Sequence, residues 1–142
     1  MYKKNTGKPG IGLAIISTLF PLLTSAGASA APLLRCEVIY AGAATTVEAT
    51  PVEDPYGVPA VDIGERFRFK AVMVGTDKSI RYIKLYAYLQ TRRRDIPIHE
   101  AVYLPPYKVS DAPYQLTPQN SLYAGEVERE LQYRCSLQGV QP

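Results

Sequence analysis

The sequence has one histidine, two cysteines and no tryptophan among its 142 residues. A single histidine, His99, excludes metal sites built from several histidines. The cysteines are too far apart for the Cys-x-x-Cys spacing of redox pairs and many zinc sites. The sequence also lacks a Gly-x-Ser-x-Gly elbow, a phosphate-binding glycine loop and a dinucleotide fingerprint. We therefore expect no catalytic residues, no metal and no cofactor.

The first thirty residues have the layout of a secretory signal peptide. Three lysines precede an apolar stretch over 11–23, and Ala28-Ser29-Ala30 supplies the small residues that signal peptidase requires. We expect cleavage after Ala30, with Ala28 as the alternative. The apolar stretch is shorter than the roughly 20 residues of a membrane-spanning helix, and no later segment reaches that length. The sequence thus predicts a signal peptide at 1–30 and a periplasmic or extracellular protein without an integral membrane segment.

Removing this segment changes the charge balance. The whole chain carries 16 basic and 13 acidic residues, but three of the basic residues are Lys3, Lys4 and Lys8. Residues 31–142 therefore contain 13 of each sign and have no formal net charge. A neutral domain lacks the long-range attraction that draws basic proteins to nucleic acid, so we expect no nucleic-acid partner.

Alternation of apolar and polar residues predicts several short strands in 31–142. The run 66–73 alternates basic with apolar residues, the run 80–90 alternates tyrosines with aliphatic residues, and a hairpin should join them. The first and last strands, around Cys36 and Cys135, place both cysteines on apolar faces. Weaker strand candidates are 45–49, 58–63 and 98–104, and a short helical turn is a further candidate at 125–130.

About seven strands in about 110 residues predict a single all-β domain. The expected fold is a small antiparallel β-sandwich of the immunoglobulin-like kind, and a small closed β-barrel is the alternative, because alternation looks the same in both. Two inward cysteines in an oxidising compartment are expected to pair, so Cys36 and Cys135 should form a structural disulfide between the first and last strands. The tryptophan that packs on the bridge of antibody domains is missing.

A tyrosine-proline segment, 103–118, is the first candidate for recognition. It contains Tyr103, Tyr107 and Tyr114 together with four prolines. Proline restricts the backbone and tyrosine offers a large contact area, so ordering the segment against a partner would cost little entropy. The alternative is a long connection whose tyrosines pack over a sheet edge.

A second candidate is the run Arg92, Arg93 and Arg94 at a predicted loop tip, which suits a partner bearing carboxylates or phosphates. The alternative is a solvated turn whose charge is offset by Asp95 and Glu100. The row Tyr82, Tyr86 and Tyr88 has two interpretations as well, a binding stripe or side chains packed with the aliphatic part of Lys84.

These features favour an exported, non-enzymatic binding or assembly module that acts on another envelope or extracellular protein. The alternative is a small proteinaceous inhibitor of an extracytoplasmic hydrolase, with the arginine run or the tyrosine-proline segment in the enzyme's cleft. An enzyme is the least favoured class, because His99, beside Glu100 in a strand, is expected at the surface or at a sheet edge.

Overall fold

The computed structural model describes residues 1, 3, 6, 7, 10 and 30–142. Apart from those few positions, the predicted signal peptide lies outside the described residues. Within them, no helix has the length and apolar character needed to cross a membrane.

Residues 31–142 form ten strands and one short 3-10 helix at Pro55–Gly57. The strands are β1 (Leu33–Tyr40), β2 (Ala43–Ala49), β3 (Pro51–Val52), β4 (Val61–Ile63), β5 (Phe67–Thr76), β6 (Ser79–Gln90), β7 (Asp95–Tyr103), β8 (Tyr114–Gln115), β9 (Asn120–Ala124) and β10 (Arg129–Gln138).

The strands make two sheets. In sheet A the order is β2-β1-β10, and both β8 and β9 pair with the far side of β10; in sheet B, β3 and β4 share one side of β5, followed by β6 and β7. All pairs are antiparallel except β3 with β5. The predicted all-β sandwich is confirmed, and the barrel alternative is wrong, because the two sheets do not close on one another.

The predicted hairpin of β5 and β6 is confirmed, with an irregularity near its turn. Val74 lies opposite Tyr82 but Gly75 lies opposite Ile80, so Arg81 is an extra residue in β6. This bulge returns Ile80 to the inward face, where it is buried. Gly75 is required here, because a Cβ at this position would lie 2.2 Å from the Ser79 carbonyl oxygen.

Three weaker predictions differ from the structure, one in kind and two at their boundaries. The predicted helical turn at 125–130 is wrong: β9 and β10 form a hairpin there, closed by a hydrogen bond from the Glu128 N–H to the Gly125 carbonyl, 3.1 Å. The candidate strand 58–63 begins only at Val61, because Val58 caps the 3-10 helix through its N–H. The candidate 98–104 runs instead from Asp95 to Tyr103, whereas 45–49 lies wholly inside β2.

The predicted disulfide is confirmed. Cys36 in β1 lies directly opposite Cys135 in β10, and both residues are buried in the core between the sheets. The bridge joins neighbouring strands of sheet A, whereas the bridge of antibody domains connects the two sheets. The inward faces of β5 and β6 supply the other half of the core, including Phe67, Phe69 and Leu85.

Candidate binding surfaces

The tyrosine-proline segment packs inward. Tyr103 ends β7 on its inward face, and the Tyr107 hydroxyl donates a hydrogen bond to the Tyr103 carbonyl oxygen at 2.6 Å. Burial raises the pKa of Tyr107 to about 12. Tyr114 packs against the core through β8, and among the described residues its buried hydroxyl has no hydrogen-bond partner. The geometry matches the interpretation in which these tyrosines cover a sheet edge, so they offer a partner only part of their surface.

The three arginines occupy an exposed turn between β6 and β7. The turn is held by Thr91, whose backbone N–H and hydroxyl both donate to the Arg94 carbonyl oxygen, at 3.1 and 2.6 Å. We call 92–94 the arginine tip. Within the described part of the chain, no carboxylate lies within salt-bridge distance of these guanidinium groups.

The two acids that were expected to offset the arginine tip are engaged elsewhere. Asp95 lies 3.3 Å from Arg68 on β5, and Glu100 lies 2.9 Å from Lys84 on β6. The turn is solvent-exposed, as that interpretation expects, but neither acid pairs with the arginine tip, because both carboxylates reach across the sheet. The arginine tip keeps its positive charge.

The arginine tip and the tyrosine-proline segment do not form one site. They lie at opposite ends of β7, a strand of nine residues. At about 3.3 Å per residue this separates them by roughly 30 Å.

A third surface, on the outer side of sheet B, combines tyrosines with cations. We call it the tyrosine face, and it consists of Tyr82, Lys84, Tyr86 and Tyr88 on β6 with the outward residues of β4, β5 and β7 and with Arg66, which directly precedes β5. In register, Tyr88 lies between Arg68 and Pro97, Tyr86 between Lys70 and Glu100, and Lys84 between Val72 and Val102. The face runs along sheet B to the arginine tip.

The aromatic rings of this face are ordered by contacts with one another. The rings of Tyr86 and Tyr88 are stacked, with centroids 6.3 Å apart and planes at 20°. The Lys84 ammonium lies 5.9 Å from the Tyr86 ring centroid, within cation-π range. Val72 lies opposite Lys84 and Val74 opposite Tyr82, and both valines are almost completely buried although they point outward. The tyrosines themselves are only partly buried, so each presents part of its surface to solvent.

Charge is concentrated on this side of the domain. The tyrosine face and the arginine tip together carry seven basic residues and three acidic ones: Arg66, Arg68, Lys70, Lys84, Arg92, Arg93 and Arg94 against Asp62, Asp95 and Glu100. Because residues 31–142 contain 13 of each sign, the rest of the domain carries six basic and ten acidic residues. The neutral total conceals a strongly polarised surface.

Hydrogen bonding and burial shift the pKa values of two side chains on the tyrosine face. The hydrogen bond from Lys84 to Glu100 raises the pKa of this lysine, so it stays charged. Burial raises the pKa of Tyr88, which keeps its hydroxyl protonated. Lys70 has no carboxylate within 4 Å in the described chain, and its ammonium is open to a partner.

The outer side of sheet A also carries two cross-strand ion pairs. Arg35 lies opposite Glu48 and bonds to it at 2.8 Å, and Glu37 lies opposite Arg134 and bonds to it at 2.6 Å. Within each cross-strand pair, the acidic residue neutralises the charge of the basic one. Sheet A thus has the outer surface of a solvated sheet.

His99 lies in an edge strand, as expected, but its side chain points inward rather than to the surface. Its Nε2 is 2.7 Å from the hydroxyl of Tyr133, and the two rings are 5.5 Å apart. Burial lowers the pKa of His99, and burial also raises that of Tyr133. In the described residues no carboxylate bonds to this pair, and no three His, Cys, Asp or Glu side chains are grouped as metal ligands would be.

Sequence reasoning did not single out Arg68 and Lys70 as part of a binding surface. Their alternation with Phe67 and Phe69 shows that they face away from the core. Only the register of β5 with β6 places them beside Tyr88 and Tyr86. The basic residues of 66–73 and the tyrosines of 80–90 were each visible in the sequence, but only the pairing of β5 with β6 brings them together on one surface.

No protein-family model matches this sequence, and neither a curated protein nor a solved structure matches it significantly. Any function must therefore be argued from the surfaces themselves.

Proposed function

We propose that this protein is an exported, non-enzymatic binding module whose tyrosine face and arginine tip bind an acidic surface of another envelope or extracellular protein. The observation that carries the proposal is the row of three tyrosines beside Lys70 and the arginine tip, whose cations pair with no carboxylate among the described residues. Tyrosine and arginine are among the residues most enriched in the energetically dominant parts of protein interfaces. The disulfide supports export, since such bridges persist in oxidising compartments.

The flatness of the tyrosine face favours a protein partner over a small molecule. Pockets for small molecules are concave, mostly apolar and bury most of the ligand. Here the tyrosines project from three outward positions of one strand in an open sheet. Such a surface gains affinity from a large area of contact, which a protein partner supplies.

The decisive experiment is affinity capture from an extract of the native envelope. Wild-type protein is compared with the double variant Tyr86→Ser/Tyr88→Ser and with the control variant Tyr123→Ser. Tyr123 is a matched control, because it is 63% exposed and belongs to the outer face of sheet A. We expect one protein to be retained by wild type and control and lost by the double variant. Equal retention by all three would refute the tyrosine face as the binding surface.

A second candidate function is inhibition of an extracytoplasmic hydrolase by the arginine tip. The observation that favours it is the restrained, exposed turn, since a restrained loop loses less entropy on entering an enzyme's cleft. Titration of trypsin-like proteases with wild type and Arg93→Gln tests this candidate. Stoichiometric inhibition that the substitution removes would favour it over the binding module.

A further inference from the structure

The four edges of the sandwich are not equally protected against addition of another strand. Exposed edges carry unpaired backbone N–H and C=O groups, and proteins protect them with short strands, proline, bulges or lysine. Three edges here have such features, and one does not. The difference identifies where a further strand can add.

Two protected edges belong to sheet B. On one side, β3 and β4 contain only two and three residues and are separated by a segment with Pro55 and Pro59. On the other side, β7 contains Pro97 and a bulge at Ile98, because Tyr88 lies opposite Pro97 whereas Ala87 lies opposite His99. Neither edge offers a regular row of hydrogen-bonding groups.

In sheet A, the edge formed by β8 and β9 is broken. The two strands are separated by 116–119, which includes Pro118, and both the Leu116 and Thr117 N–H groups bond to the same carbonyl of Cys135. The opposite edge is β2, a regular strand of seven residues that contains no proline, bulge or lysine. Its only charge, Glu48, is paired with Arg35 on the neighbouring strand.

We infer that β2 pairs antiparallel with β2 of a second copy of this chain, across a two-fold axis at Thr46, and so joins two copies of sheet A into one continuous sheet. Strand addition at an edge is an established mode of association, and a two-fold axis makes the interface self-complementary.

The register follows from which side each residue faces. Val47 is buried on the inward side, whereas Ala44, Thr46 and Glu48 point outward. Directly opposed residues of an antiparallel pair point to the same face of the sheet, and residues on one face of a strand are an even number of positions apart. The midpoint between two opposed residues is therefore itself a residue, and the two-fold axis passes through that residue. Centring on Thr46 is the one choice that pairs all seven residues of β2.

The side chains fit that register. Thr46 faces its own copy, Ala44 faces Glu48, Thr45 faces Val47 and Ala43 faces Ala49. No like charges are opposed, and a threonine-threonine pair at the axis is favourable in antiparallel sheets. The pairing ends at Thr50, where each chain leaves sheet A for β3. A second copy therefore matches this edge residue by residue.

The test measures the mass of the purified, disulfide-bonded protein by sedimentation equilibrium from micromolar to millimolar concentration. Wild type should be a dimer at the upper end. Thr46→Lys should raise the dimer dissociation constant by about tenfold or more, because two introduced ammonium groups face each other at the axis. Thr46 is exposed beside Glu37, so the variant should fold normally. A monomer at every concentration would overturn the inference.

The matched control is Ser121→Lys, an exposed, outward position on β9 at the other edge of sheet A. It makes the same change in charge and should leave the dimer intact. A second variant, Thr46→Cys, should form a disulfide-linked dimer under mild oxidation, whereas Ser121→Cys should not. If Ser121→Lys dissociates the dimer as strongly as Thr46→Lys, or if Thr46→Cys fails to cross-link, association through β2 is wrong.

Discussion

The Thr117 hydroxyl accepts a hydrogen bond from the backbone N–H of Cys135 at 3.0 Å, beside the disulfide. Thr117 is a polar residue with only 1% of its surface exposed. It lies where the edge formed by β8 and β9 is broken, so its side chain takes the place of a backbone acceptor in the ladder. The hydroxyl also donates to the Pro118 carbonyl, which satisfies its own proton.

Thr117→Val should therefore destabilise the fold by about 1–3 kcal/mol, because the buried Cys135 N–H loses its acceptor. Thr117→Ser keeps the hydroxyl and removes one methyl group, which should cost about 0.8 kcal/mol. Urea unfolding of the oxidised proteins measures both values. A valine variant as stable as wild type would show that the hydrogen bond contributes nothing.

The disulfide should contribute a large part of the stability. It closes a loop with a sequence separation of 99, so the variant Cys36→Ala/Cys135→Ala should lose about 2–5 kcal/mol. The same free energy should be lost when wild type is reduced, and reduction of the variant should change nothing. A thiol assay of denatured, unreduced wild type should detect no thiol. Two titratable thiols would contradict the bridge.

The regular strands could be predicted from the sequence because each buries one face. Phe67 and Phe69 alternate with Arg66 and Arg68, and burial of one side leaves no other arrangement for such a strand. The cysteine pairing was accessible for the same reason, since both cysteines share a face with core residues. Local pattern and tertiary packing agree at these positions.

The side-chain pairings could not be predicted, because they depend on bulges. Ile96 and Ile98 suggest a simple alternation that would turn His99 outward. The bulge at Ile98 instead places His99 on the inward side, opposite Ala87. The partner of Asp95, on β5, likewise depends on three strands lying in register. Strand β8 was missed because two residues carry no periodic signal.

His99 should make stability sensitive to mild acid. Burial lowers its pKa below the ordinary value of about 6.5, so the unfolded chain binds a proton first as the pH falls. Stability should be complete above that value and should decrease as the pH falls towards the folded-state pKa. Between about pH 7 and pH 5.5, the urea midpoint of wild type should fall more than that of His99→Gln. Parallel curves would exclude this histidine as the source.

Tyr107 should produce the opposite dependence in alkali. Burial raises its pKa to about 12, so between the ordinary tyrosine value near 10 and that value the unfolded chain loses a proton that the folded chain keeps. Stability should therefore fall across this range. Because burial also raises the pKa of Tyr133, absorbance at alkaline pH should show a late transition that is smaller in Tyr107→Phe than in wild type, not absent. If the variant retained the same late transition, another tyrosine would be responsible.

Binding through the tyrosine face should depend on salt. The seven basic residues of this face and the arginine tip attract an acidic partner electrostatically. Dissolved ions screen this attraction beyond about 10 Å at 0.1 M salt. The association rate with the captured partner, measured by surface plasmon resonance, should fall about tenfold or more as salt is raised to about 0.5 M. Arg93→Glu should lower the association rate at low salt and weaken its dependence on salt.

The control is Lys78→Glu, which makes the same change in charge in the exposed turn at the other end of sheet B. An equal effect of both variants would attribute the attraction to net charge and not to this face.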